Sequence, residues 1–362
     1  MVNNNQFSPN YFLCPGDILE EYLDSNDMNQ KEFATRIGKT PKYVNQLLKG
    51  DAKITAELAL LLESVLSRPA NFWMNLESNF RETEARHARE KHLFEHISFL
   101  DKFPISQMKK FGWIDPDTKK GVLQLESLLD FFGIASPEAW DDVLQDMNVA
   151  FRQTGHESVS HEAICAWLRK GKLDAQDIRC ADFDKDAFQT ALSESRSFTT
   201  LEPAEFAPLL KELFSKAGVA VTFVKDLPKT RTSGAARWLS SNKAHIQIGL
   251  RYRTNDHFWF TFFHEAAHIL LHSKKKVFVD YGKASNESYE IEANQYSADL
   301  LIPPNDFDSF IKNNNKPSKL KVIEFARDIE IAPGIVVGHL QHDGIYPMSW
   351  GNDLKRKFEW AN

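Results

Sequence analysis

The feature that most constrains this chain is an apolar run broken by ionisable side chains: Phe258-Trp-Phe-Thr-Phe-Phe-His264-Glu265-Ala-Ala-His268-Ile-Leu-Leu-His272. Histidines four apart stand one turn apart on one helical face. Two imidazoles so placed can reach one tetrahedral zinc. Glu265 follows the first histidine, where it can act on a water at the metal. The flanks are almost wholly apolar, so the helix is expected to be buried and its polar side chains to need partners. A five-residue pattern also arises by chance in a long chain, so the rest of the sequence must decide.

At 362 residues the chain is long for a single core, and two or three domains are expected. Hydrophobic content of 42% with 26% charged residues describes a soluble globular protein, and 27 Phe and 8 Trp suffice for sizeable cores. The net charge of −6 argues against a generally basic nucleic-acid binder, so any DNA-binding surface must be local. Cys14, Cys165 and Cys180 are odd in number and far apart, which fits buried thiols in a reducing cytoplasm. The start, Met-Val-Asn-Asn-Asn, has neither the basic region nor the apolar run of a signal peptide. No stretch of about 18 apolar residues exists, so no membrane partner is expected.

From Pro15 to Arg81 the pattern is one of short helices. Pro15-Gly16-Asp17 starts the first, with Ile18, Leu19, Tyr22 and Leu23 as its stripe. Asn29 caps a second, Gln30 to Ile37, which Gly38 ends. Thr40 caps a third with Pro41 at its first position, and Val44, Leu47 and Leu48 face inward. A fourth runs from Thr55 to Leu66. Two short helices around a glycine turn make a helix-turn-helix. The third helix turns Lys42, Tyr43, Asn45, Gln46 and Lys49 outward, and Lys39, Thr40 and Gln30 extend that face. Lysines suit phosphates, and Asn and Gln suit adenine edges. The plain alternative is a solvated face of a structural bundle. Pro15-Gly-Asp-Ile-Leu19, Asn29-Gln-Lys-Glu-Phe-Ala34, Ile54-Thr-Ala56 and Phe72-Trp-Met-Asn-Leu76 resemble the HigA group of XRE-type helix-turn-helix antitoxins. That resemblance covers about the first 80 residues. It implies operator DNA as partner, a homodimer on a palindromic site, and often a cognate toxin.

Between Glu82 and Thr200 the chain is charged and helical in pattern, with Trp113, Trp140 and Trp167 marking packed helices. Glu82 to Lys91 reads as a solvated helix with charges paired three and four apart. His161-Glu162-Ala-Ile-Cys165 imitates the zinc pattern with Cys in the second place and reads as a decoy. From Leu201 the pattern becomes α/β. A helix over Pro203 to Ala217 places Leu209, Leu210, Leu213 and Phe214 on one side. Strands follow over Val219–Val224, Gly234–Leu239 and His245–Gly249, the last two joined as a hairpin. The His245–Gly249 strand is a candidate edge for an extended substrate.

A zinc helix needs a third ligand and an open position. Glu290-Ile-Glu292-Ala-Asn294-Gln-Tyr-Ser-Ala298 offers one on a returning helix. Glu290 can ligate while Asn294, one turn on, bonds a zinc histidine; Glu292 is the alternative ligand. His272 drifts off the zinc face. Arg251, Tyr252 and His257 precede the helix, and spacing selects none of them as an oxyanion donor. His264-Glu265-x-x-His268 with Glu290-x-Glu292-Ala-Asn294-x-x-Ser297-Ala298-x-Leu-Leu301-x-Pro303 resembles the ImmA/IrrE metallopeptidases. This implies Zn2+ on His264, His268 and the matching Glu, with Glu265 as general base, and cleavage of a protein partner such as a repressor. The expected architecture is multidomain: an all-α helix-turn-helix domain (1–84), a helical connector (85–200), an α+β zincin-like metallopeptidase domain (201–305) and a helical C-terminal extension (306–362). The expected function is that of a cytoplasmic transcriptional regulator or antitoxin with a fused zinc endopeptidase. The alternative is a non-catalytic DNA-binding autorepressor whose zinc fold is structural or a sensor.

Overall fold

The computed structural model describes residues 13–142, 159–272, 278–280, 288–314 and 316–360. The chain falls into two units, 1–96 and 97–362. Among the described residues no helix is long and apolar enough to cross a membrane.

Among its described residues the first unit is five helices: α1 (Pro15–Ser25), α2 (Gln30–Arg36), α3 (Pro41–Leu48), α4 (Ala56–Leu66) and α5 (Ala70–Glu95). The caps read from the sequence form. Asn29 accepts from Glu32 N and Thr40 from Tyr43 N; Thr55, read only as the start of the fourth helix, also caps it by accepting from Leu58 N. Leu19, Phe33, Val44, Leu47, Leu58 and Leu62 bury completely or nearly so around Trp73 of α5, which meets Tyr22 edge-on at 5.7 Å. The helix α5 continues unbroken through the charged stretch to Glu95, supported by pairs such as Arg81–Glu77 at 2.7 Å and Arg86–Glu82 at 2.6 Å.

In the second unit, α6 (Ile105–Lys110), α7 (Val122–Phe132), α8 (His161–Asp177), α9 (Lys185–Ser195) and α10 (Pro203–Lys216) precede a sheet of β1 (Val219–Phe223), β2 (Gly234–Trp238), β3 (Ala244–Ile248) and β4 (Phe278–Asp280). Helix α11 (Asn255–Leu271) lies between β3 and β4 in the chain. Helices α12 (Ser288–Leu301), α13 (Pro304–Asn313), α14 (Lys319–Asp328) and α15 (Pro333–His342) follow. On α10 the core side is Phe206, Leu210 and Phe214; Leu209 stands 41% exposed, because the inward stripe falls one residue away from it.

The strand order is β1-β3-β2-β4. β3 runs parallel to β1 and antiparallel to β2, so the hairpin expected across 240–243 is present. This order corrects the expectation that the His245–Gly249 strand offers a free edge. Both its edges are hydrogen-bonded, and β4 covers the outer edge of β2.

Alternation along the strands splits the sheet into two unlike faces. Val219, Val221, Ala236, Ala244, Ile246 and Ile248 join Phe258, Trp259, Phe262 and Phe263 of α11 in one core. Burying each such aromatic contributes about 1.5–3 kcal/mol. The other face carries Thr222, Arg237, His245 and Gln247, all buried beneath α8. Arg237 donates from Nε to His245 Nδ1 at 3.1 Å and from Nη2 to Gln247 Oε1 and to the Leu168 carbonyl. Gln247 donates to the Trp167 carbonyl at 2.7 Å. Gly171 makes this docking possible, since a Cβ there would lie 1.9 Å from Gln247 Oε1. The charged 85–200 stretch thus supplies, in α8, the second cover of the sheet.

Burial, with Arg237 and Lys243 alongside, holds His245 well below the ordinary 6.5. Its Nδ1 accepts from Arg237 and its Nε2 faces Thr222 Oγ1 at 2.8 Å, so it is the neutral form that fits. A depressed folded-state pKa contributes stability that is present above the unfolded value and lost as pH falls below it. Chemical denaturation is therefore expected to show the native chain losing up to about 2 kcal/mol more than His245→Gln between pH 6.5 and pH 5, at about 1.36 kcal/mol per pH unit for one proton. Parallel curves for the two proteins would refute this.

Candidate metal centre

The helix α11 holds its site by burial. Phe262, Phe263, Ala266 and Ala267 pack into the core on its two flanks, which leaves His264, Glu265 and His268 buried as well, at 4%, 0% and 2% exposure. Its N-terminal turn lacks a side-chain cap on Thr254. The C-terminal segment takes that place. Asn255 N donates to the Arg356 carbonyl at 2.9 Å, Arg356 N donates back to Asn255 Oδ1 at 3.0 Å, and Phe358 N donates to the Arg253 carbonyl. Asp256, in the first turn, meets the buried Lys355 ammonium at 2.6 Å. Phe358 closes over Phe206 and Phe258.

The helix α12 packs along α11 and brings Glu290 to the histidines. Ala293 and Ser297 are buried in this packing, and Ser297 donates to the Phe260 carbonyl at 2.9 Å. His264 Nε2 and His268 Nε2 lie 3.0 Å apart. Glu290 Oε2 is 3.2 Å from His264 Nε2, and its Oε1 is 3.5 Å from His268 Nε2. Zn–N and Zn–O bonds of about 2.0–2.2 Å at tetrahedral angles set donor–donor edges of roughly 3.3–3.5 Å. The two imidazole nitrogens and the Glu290 carboxylate, which turns one oxygen to each histidine, lie within reach of one ion, and the mixed imidazole–carboxylate set is one that zinc accepts. Burial, with His264 and His272 as neighbours, lowers His268 to about 2, so it is neutral as a ligand must be.

Around the donors the sequence reading is refined. His272, expected off the metal face, presents Nδ1 to His268 Nδ1 at 2.9 Å, and its Nε2 lies 3.3 Å from Glu292 Oε2. Glu292 therefore faces His272 and not the two inner histidines. Asn294, expected to bond a zinc histidine, is half-buried and makes no such bond among the described residues; His272 occupies the Nδ1 side of His268. Phe278 of β4 stacks on His268 at 4.1 Å. Sequence spacing could not show this, because β4 and α11 meet only through the sheet. Glu265 lies against β2: a Cβ on Gly234 would stand 2.6 Å from its Cγ and Oε1. The decoy at His161 opens α8 with the histidine exposed and Cys165 buried, its thiol pushed well up by burial and by the neighbouring Glu162.

In the first unit, Gln30, Lys39, Thr40, Lys42, Asn45, Gln46 and Lys49 are exposed and Tyr43 is half-buried. The Lys39 ammonium lies over the Tyr43 ring at 5.8 Å.

Two family models match the chain. One, described as helix-turn-helix, covers residues 19–73; the other, the peptidase M78 model described as an IrrE N-terminal-like domain, covers residues 221–336. The uncharacterized HTH-type transcriptional regulator YddM of Escherichia coli K12 is 35% identical over 71 residues, which are 20% of this chain and 76% of that protein. The regulator YbaQ of the same organism is 35% identical over 65 residues, 18% of this chain and 58% of that protein. Among solved structures, the antitoxin HigA of Pseudomonas aeruginosa with the higBA promoter is 28% identical, covering 23% of this chain and 91% of that one at a TM-score of 0.22. An addiction module antidote protein of the HigA family from Coxiella burnetii is 28% identical over 23% of this chain and 90% of that one, at 0.21. The chain belongs to the XRE-type helix-turn-helix regulators through its first unit and carries a peptidase M78 domain of the IrrE type in its second.

Proposed function

We propose that this protein is a DNA-binding regulator of the antitoxin type whose second unit is a zinc endopeptidase acting on a regulatory protein partner. The convergence of His264, His268 and Glu290 on donor distances suited to one zinc ion carries the reading. These three residues would hold Zn2+, with Glu292 left to His272. When bound, zinc supplies Lewis acidity toward a peptide carbonyl and lowers the pKa of water. Glu265 is the general base: it takes the proton of the attacking water and delivers it to the leaving amine. With His268 ligating through Nε2, its Nδ1–H donates to His272 Nδ1, and His272 Nε2–H donates to Glu292. This chain fixes the tautomer and angle of the ligand, as carboxylate–histidine pairs do around zinc.

In the first unit, α3 would enter the major groove with Asn45 and Gln46 toward base edges and Lys39, Lys42 and Lys49 on phosphates. A homodimer would match a palindromic operator, and a cognate toxin would be the further partner of such a regulator. Locating the chain on DNA confines the peptidase to proteins gathered there, which suits regulation in the cytoplasm and not digestion.

Two measurements test this. Zinc analysis with cleavage mapping is expected to show about one zinc per chain in the wild type and in Glu265→Gln, loss of zinc in His264→Ala, and cleavage reduced about 10²–10⁴-fold by Glu265→Gln. Undiminished cleavage by Glu265→Gln would sink the mechanism. Titration of the DNA upstream of its own gene is expected to show Lys42→Ala weakening binding and lowering the slope of log affinity against log salt by about 1. A wild-type slope in that variant removes α3 from the interface.

A further inference from the structure

Beside the metal centre lies a cavity that the peptidase chemistry does not use. Ser233, Arg251, Tyr252, Arg253, His257 and Thr261 line it. Its floor is buried: Ser233 is 4% and Thr261 6% exposed. Its mouth is formed by Tyr252, Arg253 and His257, which are exposed. Two loops build it, residues 224–233 between β1 and β2 and residues 249–254 between β3 and α11. Gly249 N donates to the Ser233 carbonyl at 2.8 Å, Leu250 N donates to Asp226 Oδ2 at 3.0 Å, and Arg251 donates to the Arg231 carbonyl.

The electrostatics are one-sided. In a chain of net charge −6, these loops carry Lys225, Lys229, Arg231, Arg251 and Arg253 against Asp226 alone. Asp226 offsets one of them: burial raises it to about 6, which still leaves it ionised near pH 7, so the loops keep a clear excess of positive charge. Lys229, Arg231 and Arg253 all adopt left-handed backbone, at φ of 65°, 49° and 56°. Such conformations cost about 1–3 kcal/mol each and gather where a loop's shape is used. An independent observation points to an occupant. The Ser233 hydroxyl, buried in the floor, has no hydrogen-bond partner, and neither has that of Thr232 next to it. A buried hydroxyl left so costs about 1–3 kcal/mol until something bonds it.

The cavity's place on α11 fixes its relation to the reaction. Thr261 is one turn before Glu265 and His257 two turns, or about 6 and 12 Å along the axis. Both Thr261 and Glu265 pack on Gly234. An extended peptide advances about 3.3 Å per residue, so for a peptide laid along α11 the cavity would face a side chain roughly two to four residues from the bond above Glu265.

We propose that this cavity is a specificity subsite for an acidic side chain, Asp or Glu, of the protein substrate. The inference rests on the peptidase reading above. The carboxylate takes the hydroxyl of Ser233 as a donor at the floor and the Arg253 guanidinium at the mouth, with the charge of Arg251 on the adjoining wall, as charge-assisted bonds prefer.

The test uses the full-length chain as Glu265→Gln, with fluorescein-labelled dodecapeptides paired as Glu against Gln at positions two to four residues from the centre. At low salt the Glu peptides are expected to bind about tenfold more tightly. The preference should disappear in Arg253→Gln and, for the Arg251→Glu/Arg253→Glu pair, reverse toward Lys peptides. Ser233→Ala should weaken Glu peptides and leave Gln peptides unchanged. Equal affinity for Glu and Gln, or no binding, overturns the inference. So does a duplex oligonucleotide whose binding, and not that of the peptides, depends on Arg251 and Arg253. Wild-type cleavage separates the two readings: a chain that cleaves peptides with no acidic preference keeps the peptidase and loses the subsite. One that prefers Glu peptides yet cleaves none keeps the acidic-peptide site and loses the peptidase.

Discussion

The structure of the second unit depends on one electrostatic problem, the burial of His264, Glu265 and His268 on a helix whose other faces are aromatic core. Ionisable groups removed from water are tolerated only when neutral, paired or bound to a metal. The protein meets that condition from several directions. α12 brings Glu290 between the two histidines, β4 stacks Phe278 on His268, and Gly234 lets β2 close on Glu265. The helix cannot shift without undoing these contacts, so its two ends are fixed too. The Asp256–Lys355 pair and the return of Arg356 and Phe358 hold its first turn, and His272 ends its last.

The sheet behind this helix is organised by its two unlike faces. The apolar face gives the metal helix a rigid seat. The opposite face is buried through hydrogen bonds, with Arg237 at its centre. Burial, with Arg169 close by, lowers Arg237 only to about 10, so it stays charged, held by His245, Gln247 and a carbonyl at the α8 backbone. A network of this kind is costly when any member is lost and specific when all are met. It ties α8 to one register on the sheet. That explains why this charged helical stretch belongs to the same unit as the metal centre.

Much of the site was legible in the chain. The four-residue spacing of His264 and His268 needs only helical periodicity to place two imidazoles together, and the Glu290 helix carries its own small-residue face. The caps at Asn29 and Thr40 and the outward residues of α3 follow from local chemistry in the same way. Less legible were features that depend on partners distant in sequence. Asn294 has the right helical phase to support a ligand, but His272 already fills the Nδ1 side of His268. Leu209 fits an apolar stripe, yet the contact surface of the sheet selects Phe206 instead. Ser233 carries no pattern at all, and its unpaired hydroxyl is visible only once two loops meet.

By itself, then, the sequence determined the donor types, their helical spacing and the turn chemistry of the first unit, because each is set within one or two turns of chain. Tertiary structure decided which carboxylate meets which histidine, that β3 is central and has no free edge, and that two basic loops enclose one cavity beside Glu265. These depend on strand order and on the packing of α12 against α11, which arise from contacts between residues far apart in the chain and leave no periodic trace in it.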